Sequence, residues 1–320
     1  FHKTKEKIYF KLDKSIEKII KKEKYKESIK IGLNVALGKK MLHLMYKNQN
    51  WFKRNIKFII TKSSWHLIME SFLFFNNYAI KDHYLLLRKY ELYKKSIKKP
   101  FEEKSSNKRL VHQICIGYLE GDEDISKEES TIYYLLKHGN PQHIEEIVNH
   151  FWSLWDRDKN SSVYEMIKPL WKRLLKKGKD PKYVESIQNI FFWLSLYCYA
   201  SEDNKIDDEI NELLLESINY LKEDFDQIQL LDYFEYIIGK QPEKVGEYIL
   251  KLAEKDRLVF WEQERLVVLI DKLYGQGSSC EKCEELADAI CNIYGEKGLY
   301  FLEKTYFDNM DNEEKKSNNE

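Results

Sequence analysis

Ile210-Asn211-Glu212-Leu213-Leu214-Leu215-Glu216-Ser217-Ile218 places apolar side chains at 210, 213, 214 and 218 with carboxylates between them. Spacings of three and four residues put these four on one helical face, because successive residues turn through about 100°. The same rhythm recurs on both sides. Ile16, Ile19 and Ile20 form a stripe, as do Tyr233, Tyr236 and Ile237, and again Leu266, Leu269, Ile270 and Leu273. Each reads as an amphipathic helix with one face turned to a core. Start and stop signals agree. Asn140-Pro141 and Asp180-Pro181 pair a capping side chain with a proline at the first helical position, and Pro242 after Gln241 reads the same way. Gly239, Gly275 and Gly295 fall where helices end.

Composition points the same way. Among 320 residues there are only 12 Gly and 5 Pro, too few for the turns of a multi-stranded sheet or for glycine loops that cradle phosphate. With 43% hydrophobic and 33% charged residues the chain is expected to be soluble and globular, and long enough for a large core. The longest uncharged stretch, Ser186 to Ser201, is short for a membrane span and contains Gln188 and Asn189, so no membrane partner is expected. An odd number of Cys, five, fits a reducing compartment and predicts a cytoplasmic location. The start at Phe1 shows no signal-peptide pattern, and the lack of an initial Met predicts a piece of a longer protein.

The expected fold is all-α, a HEAT- or TPR-like helical repeat array (α-solenoid) of about 15–16 helices. Helices at spacings near 20 residues give the rhythm of paired-helix units, about 34 to 47 residues each. Successive units match in pattern more than in residues, so a compact irregular helical domain is the alternative.

The formal net charge of zero conceals a division. Residues 1 to 110 hold 28 Lys+Arg against 10 Asp+Glu, a net of +18, and the remainder hold 25 against 43, a net of −18. Together with the break at Ser96 to Lys108, this predicts a basic N-terminal helical region (1–100), an acidic helical-repeat region (106–307) and a disordered tail (308–320). Lesser breaks fall at Glu120 to Glu129 and Ser201 to Asp208. The basic region uses Lys, with only Arg54, Arg88 and Arg109 as arginines, so it can attract phosphate without reading bases. Lys39, Lys40, Lys53, Arg54 and Lys57 are the candidate nucleic-acid contacts. Lys-rich helices are also ordinary solvated faces.

No motif identifies a catalytic centre. Gly32 to Lys40 resembles a phosphate-binding loop but has five residues between its glycines where four are needed, and Lys40 stands where Ser or Thr would hold magnesium. It reads as helix. Cys280-Glu281-Lys282-Cys283 lacks the second ligand pair of a zinc site and reads as a helix start with two small residues, a weakly activated thiol pair being the alternative. His138, His143 and His150 lack the four-residue spacing of a zinc-binding helix, and capping or surface roles are expected. The stripes Trp65, Met69, Phe72 and Phe151, Trp152, Trp155 read as core packing. No catalytic residue, cofactor or metal ligand is expected.

Several segments in order carry a family resemblance. They are Gly38-Lys39-Lys40-Met41-Leu42-His43-Leu44-Met45 with Trp51, Ser64-Trp65, Phe72-Leu73, Leu87-Arg88-Lys89-Tyr90 and Gly117-Tyr118-Leu119-Glu120-Gly121. Phe151-Trp152, Pro169-Leu170-Trp171-Lys172-Arg173-Leu174, Leu286-Ala287-Asp288-Ala289-Ile290 and Gly298-Leu299-Tyr300-Phe301-Leu302 continue the run. Together they resemble the C-terminal α-helical repeat region of bacterial STAND-type NTPases and related antiviral defence proteins. The resemblance implies a non-catalytic recognition segment of a multidomain protein. It would sense a foreign (phage) component and control an effector elsewhere, through a protein partner or other domains of the parent chain. The family's ATPase and effector motifs are absent here. The other reading is a nucleic-acid-binding helical protein using the basic region.

Overall fold

The computed structural model describes residues 27–47, 49–76, 81–153, 161–193, 206–222, 225–276 and 280–309. The Ile16 stripe, Trp155 and residues 310–320 of the expected tail lie outside them. Among the described residues the chain is all-helical, with no strand. In order these are α1 (Glu27–Lys47), α2 (Gln49–Ile59), α3 (Trp65–Phe75), α4 (Lys81–Lys89), α5 (Leu92–Lys98), α6 (Lys104–Leu119) and α7 (Thr131–His138). There follow α8 (Pro141–Trp152), α9 (Ser161–Gly178), α10 (Asp208–Ile218), α11 (Gln227–Ile237), α12 (Pro242–Glu254), α13 (Gln263–Gly275) and α14 (Glu281–Glu296). Short 3₁₀ turns occupy Pro181–Tyr183, Glu185–Ile187, Ile190–Trp193 and Tyr300–Leu302. The chain divides into two compact units between Glu146 and Ile147. The Ser96 to Lys108 break is an ordered connection inside the first of them, where Asn107 donates to the Phe101 carbonyl at 2.7 Å and accepts from its N–H at 2.9 Å.

The helices begin where local chemistry stops the chain from fraying. Ser130, Asp207 and Asp226 each accept a hydrogen bond from the backbone N–H three residues on, satisfying one of the donors a helix start leaves unpaired. At Asn140 the arrangement is reciprocal. Its side chain accepts from the His143 N–H at 2.9 Å, and His143 Nδ1 accepts from the Asn140 N–H at 3.3 Å. This is the capping-box exchange with an imidazole in place of the usual Glu or Gln.

In the first unit α1 packs on α3, α3 on α6, and α5 on α7. The close crossing of α1 and α3 depends on small residues. A Cβ added at Gly38 would stand 2.4 Å from the Ile68 carbonyl oxygen and 2.7 Å from Ser71 Cβ. Ser71 uses that proximity to donate to the Val35 carbonyl at 2.7 Å, and Ser106 of α6 donates to the Glu70 carbonyl at 3.2 Å. Both bonds span 36 residues. Gly32 to Lys40, the phosphate-loop lookalike, is continuous helix within α1. Met69 and Phe72 are fully buried, as their stripe predicts.

In the second unit α9 packs on α10, α10 on α12 and α12 on α14, while α11 packs on α13. From α10 onward, helices two apart stack on one another, and the neighbours α13 and α14 pack together as well. Cross-links again join residues about one helix pair apart. Asn211 bonds Glu247 at 3.0 Å across 36 residues, Arg257 Nε donates to the Leu221 carbonyl at 2.9 Å across 36, and Val259 N–H donates to Tyr294 Oη at 2.8 Å across 35. Its core holds the stripe read from sequence: Ile210, Leu214 and Ile218 are buried, as are Leu266, Leu269, Ile270 and Leu273. Two buried indoles are satisfied, Trp171 Nε1 donating to Ser217 Oγ at 2.8 Å and Trp193 Nε1 to the Val148 carbonyl at 2.9 Å.

The Cys280–Cys283 reading needs correction. A helix does begin there, with Cys280 at the N-cap of α14, but the two sulfurs are joined in a disulfide, with Cα atoms 5.4 Å apart. The spacing of three across the helix start brings the two Cβ atoms onto the same side, within bonding range. Among the described residues Cys115 and Cys291 are free thiols, both buried.

Candidate functional site

The five basic residues singled out from sequence fall on two helices. Lys39 and Lys40 are exposed on α1, where the Lys39 ammonium lies 4.5 Å from the Phe75 ring centroid. Lys53, Arg54 and Lys57 are exposed on α2, opposite its buried Trp51, Phe52, Ile56 and Ile59. Arg54 Nε donates to the Asn50 carbonyl of its own helix at 3.2 Å. Among the described residues, no hydrogen bond or ring contact joins the α1 pair to the α2 trio. The α2 face also carries Phe58, 56% exposed.

A second concentration of lysine is concave. Between α5 and α7 lies a cavity of about 340 Å³, to which Lys94, Lys95 and Lys98 contribute from α5 and Lys137 from α7. Lys94 and Lys98 stand one turn apart on α5, and both lie over the Tyr134 ring, at 5.5 and 5.6 Å from its centroid. The facing helix repeats the four-residue spacing. Lys137 lies 5.7 Å from the Tyr133 centroid, and the His138 ring packs 4.3 Å from that of Tyr134. Cation–ring contacts hold the ammonium groups without neutralising them.

Carboxylates are scarce in this cavity. Glu91 and Glu128 reach its lining, and Glu128 is engaged by the Tyr133 hydroxyl at 3.1 Å and by Lys137 at 3.9 Å. Among the described residues no carboxylate lies within 4 Å of Lys94, Lys95 or Lys98; the Lys95 ammonium instead donates to the Tyr90 carbonyl at 3.3 Å. Other lysines of the chain are paired: Lys81 and Lys108 in the first unit, and in the second several more. Lys168, Lys244, Lys282 and Lys297 each pair with an acidic side chain of another helix or connection.

The α7 wall is fixed from behind by a buried carboxylate. Glu123 Oε2 accepts from the N–H of Thr131, the first residue of α7, at 2.6 Å, and Oε1 accepts from Tyr84 Oη at 2.6 Å and from Arg88 at 3.5 Å. A negative charge at a helix start is favoured by the unpaired N–H groups there. Arg88 also donates to the Asp122 carbonyl, and Lys81 pairs with Asp122 at 2.7 Å. The loop Glu120 to Glu129, which sequence shows only as acidic, thus buries one of its charges to clamp α4 to α7.

Sequence reading passed over Lys94, Lys98 and Tyr134. The available signal was the pair of four-residue spacings, Lys94/Lys98 and Tyr134/His138, on neighbouring helices. Of the three histidines, His143 caps α8 as described, and His143 and His150 are both buried, while His138 is exposed at the cavity. Among the described residues no group of three or more His, Cys, Asp or Glu converges on a point where a metal ion could sit. No helix is long and apolar enough to cross a membrane, among the described residues. No family model, curated protein or solved structure matches this chain.

Proposed function

We propose that this chain is a helical-repeat recognition module that acts by binding and carries no catalysis of its own. The observation that supports it is the recurrent register: in both units, side chains bond backbone or side-chain groups about 36 residues away. A fixed register between stacked helices is what a HEAT- or TPR-like array requires, since each unit buries its apolar face against the next. Such stacking lays out an extended surface for a protein partner or for other domains of a parent chain. A ligand on it shifts attached domains by its differential affinity for their two states. In keeping with the resemblance to STAND-type repeat regions, the module senses a phage component and controls an effector encoded elsewhere in the parent protein. The test is phage challenge of cells carrying the full-length gene, intact or deleted for residues 27–309. Loss of protection on deletion is expected, and equal protection overturns the reading.

A second reading, nucleic-acid binding, draws on the exposed Lys53, Arg54 and Lys57 face of α2. Electrophoretic shifts with single- and double-stranded DNA and RNA test it. Binding by this face should weaken with salt, by about 0.9 log unit per neutralised phosphate for each tenfold rise. Absence of any shift at low salt rejects it.

A further inference from the structure

We infer that the cavity between α5 and α7 is a binding site for a small polyphosphate, held through its phosphate groups by Lys94, Lys98 and Lys137. The site goes beyond the repeat-module reading, because it is built within the first unit from two packed helices and stands whether or not the whole chain is an array.

Charge is the first support. Four lysines line the cavity against two carboxylates, and Glu128 is already committed to Tyr133 and Lys137. The cavity therefore carries an excess of about two positive charges when empty. Lys94 and Lys98 share one aromatic ring and repel one another across it. A ring quadrupole offsets part of that repulsion; an anion between the ammonium groups removes it.

Geometry is the second. The ammonium groups are drawn over tyrosine rings, which limits the motion of long lysine stems and reduces what must be ordered on binding. The two walls, α5 and α7, pack directly on each other, and the start of α7 is further held by the Glu123 clasp to α4. Tyr134 meets the cavity through its ring, which both ammonium groups and His138 contact, while its Oη is buried away from the opening.

Size and residue type decide the class of ligand. About 340 Å³ lies at the lower end of the range for small-molecule sites and holds a compact anion, not a stretch of duplex. Lysine presents a compact point charge, which meets phosphate oxygens without the bidentate geometry an arginine would impose. A chain of two or more phosphates offers oxygens to ammonium groups contributed from both helices.

Isothermal titration of the full chain with inorganic triphosphate, ATP without divalent metal, and a thymidine 20-mer tests the inference. Triphosphate and ATP should both bind, and the K94Q/K98Q variant should weaken both at least tenfold while its circular dichroism stays unchanged. K53Q/K57Q, on the exposed face of α2, should leave both affinities as they were. Three results overturn the site: no binding of either small anion, equal loss in the two double variants, or a 20-mer bound more tightly than triphosphate with the same dependence on Lys94 and Lys98. Failure of phage protection in the deletion experiment does not bear on this outcome, so the two readings fail separately.

Discussion

The Tyr84 hydroxyl donates a 2.6 Å hydrogen bond to the buried carboxylate of Glu123, tying α4 to the loop that starts α7. Burial, and next the adjacent carboxylate, hold the phenol far above its ordinary range, so it remains a donor at every pH the fold survives. Replacing Tyr84 by Phe keeps the ring against Tyr93 and removes only the hydroxyl. The expected loss is about 1.5–3 kcal/mol, the range for a hydrogen bond to a charged group. Urea unfolding reads it, and a midpoint equal to that of the unchanged protein would contradict the clasp.

Two glycines of α1 separate close packing from helix propensity. Gly38 leaves no room for a methyl group beside the Ile68 carbonyl, whereas Gly32 has nothing within 4 Å of where a Cβ would stand. Gly38→Ala should destabilise by roughly 1–3 kcal/mol, as overpacked sites do. Gly32→Ala should stabilise by about 0.5–1 kcal/mol through the backbone entropy it removes. Thermal melts of the two variants should move in opposite directions.

Acid should weaken the fold through His143. Burial lowers its pKa from the ordinary 6.5 to about 4. Between these values the unfolded chain binds more protons than the folded one, so stability is full above about pH 6.5, falls as acid is added and stops falling near pH 4. From pH 7.5 to pH 5 the contribution is about 2 kcal/mol. Gln at position 143 can still accept from the Asn140 N–H, as in the usual capping box, but does not titrate. His143→Gln should therefore keep most of the stability at pH 7.5 and lose that part of the slope. Parallel unfolding curves at the two pH values decide it.

In the second unit, Trp171 Nε1 has Ser217 Oγ as its partner at 2.8 Å. Ser217→Ala removes this acceptor from the buried indole N–H, and a loss of roughly 1–3 kcal/mol is expected. Guanidinium denaturation measures the loss, and indole fluorescence follows the same transition. A variant as stable as the parent would show that the indole finds another acceptor.

Helix positions, caps and buried faces follow from residues within four of one another, and these were largely legible. Asn140 starts α8 as its sequence announces, by reaching the N–H three residues ahead, whereas Asp180-Pro181 opens only a short 3₁₀ turn and Gln241 makes no side-chain cap. Asp207 and Asp226 cap α10 and α11 without having been singled out. The Ile210 and Leu266 stripes face inward because apolar residues recur at the helical period. Cys280 and Cys283 mark the limit even at short range: the spacing of three announced a helix start, and only the atomic placement shows the two sulfurs joined.

The chain by itself determined an all-helical fold and a division of charge into a basic and an acidic part. It did not determine which charges meet. Lys53, Arg54 and Lys57 stand out in sequence yet form an open face, whereas Lys94 and Lys98 gain a concave setting from Tyr134, Lys137 and His138 of another helix. Glu123, one acid among several in its loop, is singled out by Tyr84, which lies 39 residues away. Contacts of that reach are fixed by which side chains interlock when helices stack. Helical periodicity sets the face each residue occupies, and packing between helices sets what that face meets.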